Sequence, residues 1–190
     1  MVPVILAISG SLRSGSINTA ALRAAAAVAA QDGNVVEIYA SVRELPHFDP
    51  DLEGAPPDAV LRLRASCEQA AAVLLAVPEY AFGIPGAFKN ALDWMVGSGS
   101  LYRKPITLLN VAPPGRGAHV RSALRDVLNA LDAQVSHSSV PVSQQSRGVD
   151  GEIRDAATLV RLRTIVGELV QRAHATRRMD AQSLIHLCRR

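Results

Sequence analysis

Short, unbroken runs of branched apolar residues alternate along this chain with longer segments whose apolar positions recur at helical spacing. Val4–Ile8 is the first such run, and its continuity suits a strand buried on both faces rather than one with a wet side. An alanine-dense helix is predicted over Asn18–Ala30, closed by Asp32-Gly33-Asn34, and a second strand over Val35–Tyr39. A loop carrying Pro46, Pro50, Pro56 and Pro57 leads to a helix over Asp58–Ala71. Ala72–Val77 reads as the third strand, stopped by Pro78. Pro85 then opens a helix through Val96, its fixed φ suiting a first turn. Ile106–Val111 is the fourth strand, Ala118–Leu131 the helix after it, and Gln134–Val142 contains a fifth, less regular strand. A long amphipathic helix over Asp155–Arg177 closes the domain.

Five strands alternating with five helices imply a parallel sheet with helices on both faces, an α/β three-layer sandwich. Right-handed crossovers leave few ways to wind such a chain, and ligands of open sheets bind beyond the carboxyl ends of the strands. The loops that matter are therefore Ser9–Ile17, Pro78–Ile84 and Ala112–Gly117. No repeat or linker divides the chain, so residues 1–177 are expected to form one domain. Residues 178–190 remain as a tail, too short for a domain of its own, that could frame an edge or reach a partner chain.

Composition agrees with a packed domain: of 190 residues 48% are hydrophobic and 19% charged. Aromatic residues are only 4%, so the clustering of Tyr80, Phe82, Phe88 and Trp94 in one segment asks for a reason. The net charge of +3 comes from scattered arginines, not a basic block, which argues against nucleic-acid binding. Cys67 and Cys188 are too far apart for a disulfide framework or zinc site. His47, His119, His137, His174 and His186 show no metal-ligand spacing, so no metal is expected. Val4–Ile8 is too short for a signal peptide or membrane span, and cytoplasmic residence is the expectation.

The loop after the first strand reads Ser9-Gly10-Ser11-Leu12-Arg13-Ser14-Gly15-Ser16-Ile17-Asn18-Thr19. Running from a strand into a helix, it sits where backbone N–H groups and the helix dipole hold anions. The serines and Asn18 add donors, and Arg13 adds a fixed charge, the combination a phosphate requires. The plainer alternative makes Ser16 or Asn18 a helix N-cap and the rest a polar turn. No Walker lysine and no G-x-G-x-x-G is present.

The stretch from Val77 to Trp94 contains Pro78-Glu79-Tyr80-Ala81-Phe82-Gly83 and Ile84-Pro85-Gly86, then Lys89-Asn90-Ala91-Leu92-Asp93-Trp94. Its prolines stiffen a loop at the end of the third strand, and Tyr80 and Phe82 are expected to face the same crevice as the serine-rich loop. Phe88 and Trp94 suit core or subunit contact as well as they suit ligand contact. Together with Gly10-Ser11-Leu12-Arg13, Ser16 and Asn18, this stretch resembles the NADPH-dependent FMN reductases, which include quinone, chromate and azo-dye reductases. In element order the likeness spans residues 4 to 170.

The resemblance implies a flavodoxin-like fold with strand order 2-1-3-4-5. It implies FMN as cofactor, with NADPH or NADH as co-substrate, and a small acceptor such as a flavin or quinone. It places Ser11, Arg13, Ser16 and Asn18 around the FMN phosphate, with Ile17 beside them. Pro78, Glu79, Tyr80 and Ala81 would border the ribityl chain and ring, largely through backbone. Pro113 and Gly115 belong to the third loop, near the ring. The family's habit implies a homodimer or homotetramer, with the helix from Pro85 at the contact. Hydride would pass from nicotinamide to flavin without a dedicated acid or base, so no catalytic residue is named. Two departures stand out: Ala81 replaces the usual asparagine, and Pro113-Pro114 remove amide donors. A flavodoxin-like electron carrier, or a flavin- or nucleotide-binding protein without NAD(P)H activity, is the alternative.

Overall fold

The computed structural model describes residues 2–142, 146, 148 and 150–187. Strands β1 (Val4–Ser9), β2 (Val35–Tyr39), β3 (Ala72–Ala76), β4 (Pro105–Asn110) and β5 (Gln134–Ser139) form one parallel sheet in the order β2-β1-β3-β4-β5. The α-helices are α1 (Ile17–Gln31), α2 (Asp58–Gln69), α3 (Gly86–Asp93), α4 (Ala118–Ala130) and α5 (Ala156–Leu187). This is the flavodoxin-like arrangement, and the expected elements all occur. Most boundaries shift by one or two residues, and three shift by more. β5 stops at Ser139 instead of Val142, α3 ends at Asp93 before a looser turn, and α5 runs past Arg177 to Leu187. Much of the expected tail is thus helical. Cys188 and the last two arginines lie outside the described residues.

The continuous apolar character of β1 has the expected cause. Ile5 and Ala7 pack under α1 and α5, while Leu6 and Ile8 pack under α2, α3 and α4, so both faces are buried. The alanines of α1 let that helix lie close to the sheet: Ala20, Ala21 and Ala25 are wholly buried. Phe88 and Trp94 are buried in the chain's own core, which answers the question their positions raised. Trp94 donates its indole N–H to Pro46 O at 2.9 Å and meets Phe48 edge-on at 5.0 Å, fixing the proline-rich loop to α3. Arg64 adds a guanidinium bond to Trp94 O at 2.7 Å. Cys67 is also core, and burial pushes its thiol up to about 12, so it is an unreactive packing residue.

The edge strand β5 is polar, whereas β2 at the other edge is largely apolar. At the β5 edge Arg172 of α5 reaches back to Ile106 O, Thr107 Oγ1, Ser136 Oγ and Gln134 O, joining the last helix to β4 and β5. No described helix is long and apolar enough to cross a membrane.

At the carboxyl end of the sheet, β1 and β3 are neighbours whose following loops diverge. Gly10 donates its N–H to Ala76 O at 2.9 Å, and a Cβ placed on Gly10 would lie 2.6 Å from Cγ1 of Val77. Only glycine allows the first loop to leave the strand so close to the third. Gly10→Ala is expected to destabilise the fold by about 1–3 kcal/mol through this overlap. A urea midpoint equal to that of the wild type would show that Val77 moves aside without cost.

Candidate functional site

A crevice of about 330 Å³ opens at this point, between the start of α1, the end of β3 and the loop after β4. Its floor and walls come from Ile17 and Asn18, from Val77, Pro78 and Glu79, and from Asn110 through Pro113, with Arg116 and Gly117 at the far side. It therefore lies at the topological switch point of the sheet, where such folds take their ligands.

Serine chemistry shapes the first loop. The Ser9 hydroxyl oxygen accepts from Thr19 Oγ1 at 2.8 Å and from Ser11 N–H at 3.2 Å, and Ser11 Oγ accepts from Arg13 N–H at 3.3 Å. Arg43 donates to Leu12 O at 2.6 Å, pinning the loop from outside. Ser16 occupies the N-cap position of α1, yet its side chain makes no capping bond. The plain capping alternative for Ser16 thus fails, and the first-turn amides of α1 keep their donors without a side-chain acceptor. Asn18 and Ser16 are buried beside them, whereas Arg13 is exposed.

The opposite helix end is built differently. The N–H of Val120, in the first turn of α4, donates to Glu79 Oε2 at 3.0 Å. A carboxylate from the β3 loop thus occupies the electropositive end of α4. The Glu79 side chain thus joins two walls of the crevice. Asn110 does comparable work at the end of β4: its Oδ1 accepts from Ala112 N–H and its Nδ2 donates to Arg116 O, each at 3.1 Å. Gly117 has φ +82° and leaves no room for a Cβ, which would come within 2.8 Å of Asn110 Oδ1.

The aromatic segment forms a tight hairpin. Tyr80 and Gly83 exchange backbone hydrogen bonds of 3.1 and 2.9 Å around Ala81 and Phe82, whose φ values are +48° and +60°. Two left-handed central residues define a type I′ turn, which favours asparagine and glycine. Ala81 carries the strain that the missing asparagine would have eased. Phe82 is 75% exposed and packs edge-on against His119 of α4 at 5.0 Å.

Of the residues expected at the site, Ile17, Asn18, Pro78, Glu79 and Pro113 line the crevice. Ser11, Arg13 and Ser16 lie in the adjoining loop, Tyr80 and Ala81 in the hairpin, and Gly115 in the loop between Pro113 and Arg116. Sequence reasoning did not single out Asn110, Arg43 or Arg116. A polar residue closing an apolar strand was the available signal for Asn110; nothing local marked Arg43.

Residues 3–147 match the sequence profile described as NADPH-dependent FMN reductase. A quinone reductase of Escherichia coli K12 is 31% identical over 181 residues, covering 88% of this chain and 95% of that protein. An NAD(P)H-dependent FMN reductase of Pseudomonas aeruginosa is 34% identical over 164 residues, covering 80% and 87%. The solved structure of FerB, a flavoenzyme NAD(P)H:(acceptor) oxidoreductase from Paracoccus denitrificans, superposes with a TM-score of 0.75 at 27% identity, covering 92% of this chain and 98% of that one.

The strain in the hairpin is measurable. Ala81→Gly is expected to raise stability by about 0.5–1 kcal/mol, the relief of a left-handed alanine outweighing the added freedom of the unfolded chain. A thermal melt no higher than the wild type's would mean the turn is already relaxed.

Proposed function

The chain belongs to the NADPH-dependent FMN reductase family, and we propose that it holds one FMN in the crevice at the switch point, with the phosphate on α1 and the ring toward α4. Membership brings the reaction: it is an FMN-dependent NAD(P)H oxidoreductase that delivers electrons to a small acceptor. When bound, FMN supplies the two-electron relay between nicotinamide and acceptor.

The observation that carries the placement is the contrast between the two helix ends. The first turn of α1 has no side-chain cap, while α4 is already satisfied by the Glu79 carboxylate. A phosphate is attracted by the first and repelled by the second. Ser11, Arg13, Ser16, Ile17 and Asn18 form the phosphate cradle in this reading. Pro78, Glu79, Tyr80 and Ala81 present backbone to the ribityl chain and ring, and Pro113 and Gly115 border the ring from the other side. No side chain is assigned as acid or base. Flavins and quinones are the acceptor classes proposed. Residues 1–177 are taken as the flavin domain with 178–190 outside it, and the protein is placed in the cytoplasm, where NAD(P)H is available.

Fluorescence titration tests the cradle. Wild-type protein is expected to bind one FMN per chain at micromolar concentration or below. Arg13→Ala should weaken FMN roughly tenfold to a hundredfold, the range of a lost charge-assisted bond of about 1.5–3 kcal/mol. Riboflavin, which has no phosphate, should change little. Equal weakening of both flavins would make Arg13 a loop-folding residue.

The chain is further proposed to assemble as a homodimer or homotetramer. Phe88 and Trp94 cannot supply the contact, because both are buried. Tyr80 and Phe82, 54% and 75% exposed, are the exposed aromatic side chains of the same segment and are proposed to contribute to it. Light scattering should report at least two chains, and a Phe82→Ser variant should dissociate more readily; a monomeric wild type would refute the assembly.

A further inference from the structure

Among the described residues, the crevice lining carries two charged side chains, Glu79 and Arg116. Glu79 is engaged by the Val120 amide. Arg116 is different. Among the described residues its guanidinium has no ion-pair partner, and the residue is exposed although it lines the crevice, so it bounds the mouth and not the floor.

Its backbone, by contrast, is held firmly. Arg116 N–H donates to Pro113 O at 3.1 Å, and its carbonyl accepts from Asn110 Nδ2 at 3.1 Å. The glycines on either side, Gly115 and Gly117, have φ values of +80° and +82°. The result is a fixed base presenting an exposed cation at the crevice. Ile17 and Asn18, in the first turn of α1 and at the proposed seat of the FMN phosphate, line the same crevice. A ligand that stacks on the ring from solvent would meet this cation. The nicotinamide dinucleotide is such a ligand, and it carries phosphates that need a cation. The neighbouring α4 terminus cannot serve, because Glu79 already places negative charge there. Pro113 and Pro114 cannot donate amides either.

We propose that Arg116 binds a phosphate of the nicotinamide co-substrate and thereby sets the affinity of this enzyme for it. This rests on the flavin placement given above, and the test keeps the two apart. FMN-loaded wild type, Arg116→Ala and Arg116→Lys are titrated calorimetrically with NADP⁺ and with NAD⁺, neither of which reduces oxidised FMN. FMN affinity is measured first on each variant.

Arg116→Ala is expected to bind NADP⁺ at least tenfold more weakly at unchanged FMN affinity, with partial recovery in Arg116→Lys. Loss confined to NADP⁺ identifies the 2′-phosphate as the group bound; equal loss of NAD⁺ identifies the pyrophosphate. Unchanged affinity for both nucleotides, with FMN in place, overturns the role of Arg116 and leaves the flavin site standing. A parallel loss of FMN also overturns it, since Arg116 would then be holding the ring or the loop. Failure of wild type to take up FMN would instead strike at the underlying placement.

Discussion

Gly10 passes so close to Val77 that nothing larger than hydrogen fits between them, and much of the crevice is built from that passage. The bond from Gly10 N–H to Ala76 O extends the β1–β3 pairing by one residue beyond the strand. After it the two chains separate: one turns under α1, the other rises into the β3 loop. Were the first loop displaced outward by the width of a methyl group, α1 would point its first turn away from β3. The Ser9 hydroxyl, accepting from the Thr19 hydroxyl and the Ser11 N–H, and the Ser11 hydroxyl, accepting from the Arg13 N–H, then keep the loop in shape. These bonds, with Arg43 on Leu12 O, are made within the protein and do not depend on a ligand.

Polarity in the crevice follows from which helix ends are filled. Parallel sheets flanked by helices place several helix N-termini at the same edge, and each favours negative charge. Left alone, α1 and α4 would compete for an anion. The Glu79 carboxylate removes α4 from that competition and simultaneously braces the loop after β3 against the loop after β4. One side chain thus sets both the direction of the site and the distance between two of its walls. In the proposed placement, that carboxylate marks the helix end from which a phosphate is turned away.

Sequence showed the architecture well because the architecture rests on local, periodic signals. Doubly buried strands read as continuous runs, and Pro78 and Pro85 punctuate the chain at the loop and the helix start. The serine-rich turn between β1 and α1 was legible as a polar loop entering a helix, because Ser11, Arg13, Ser16 and Asn18 stand together in one short window. Other features depend on pairs distant in sequence. Glu79 meets Val120, Arg43 meets Leu12, and Trp94 meets Pro46; no window of residues contains either interaction's reason. The burial of Trp94 was undecided for the same cause, since its partners come from the proline-rich loop before α2. Ala81 was noticed as a missing hydrogen bond, while its left-handed backbone required the fold of the hairpin to be seen. The end of α5 lay beyond Arg177 because no glycine or proline from 178 to 187 interrupts the helix.

The reach of Arg172 has a consequence for how the chain is made. β5 is a polar edge strand, with little apolar surface of its own to hold it against β4. Four acceptors on β4 and β5 are gathered by a guanidinium that leaves the ribosome more than thirty residues after the strand it secures. During synthesis β5 therefore waits with an open edge, and the sheet is sealed only when the last helix arrives. Premature termination before Arg172 would leave a nearly complete domain with an unguarded strand, a species suited to pairing with its neighbours and to capture by chaperones or proteases.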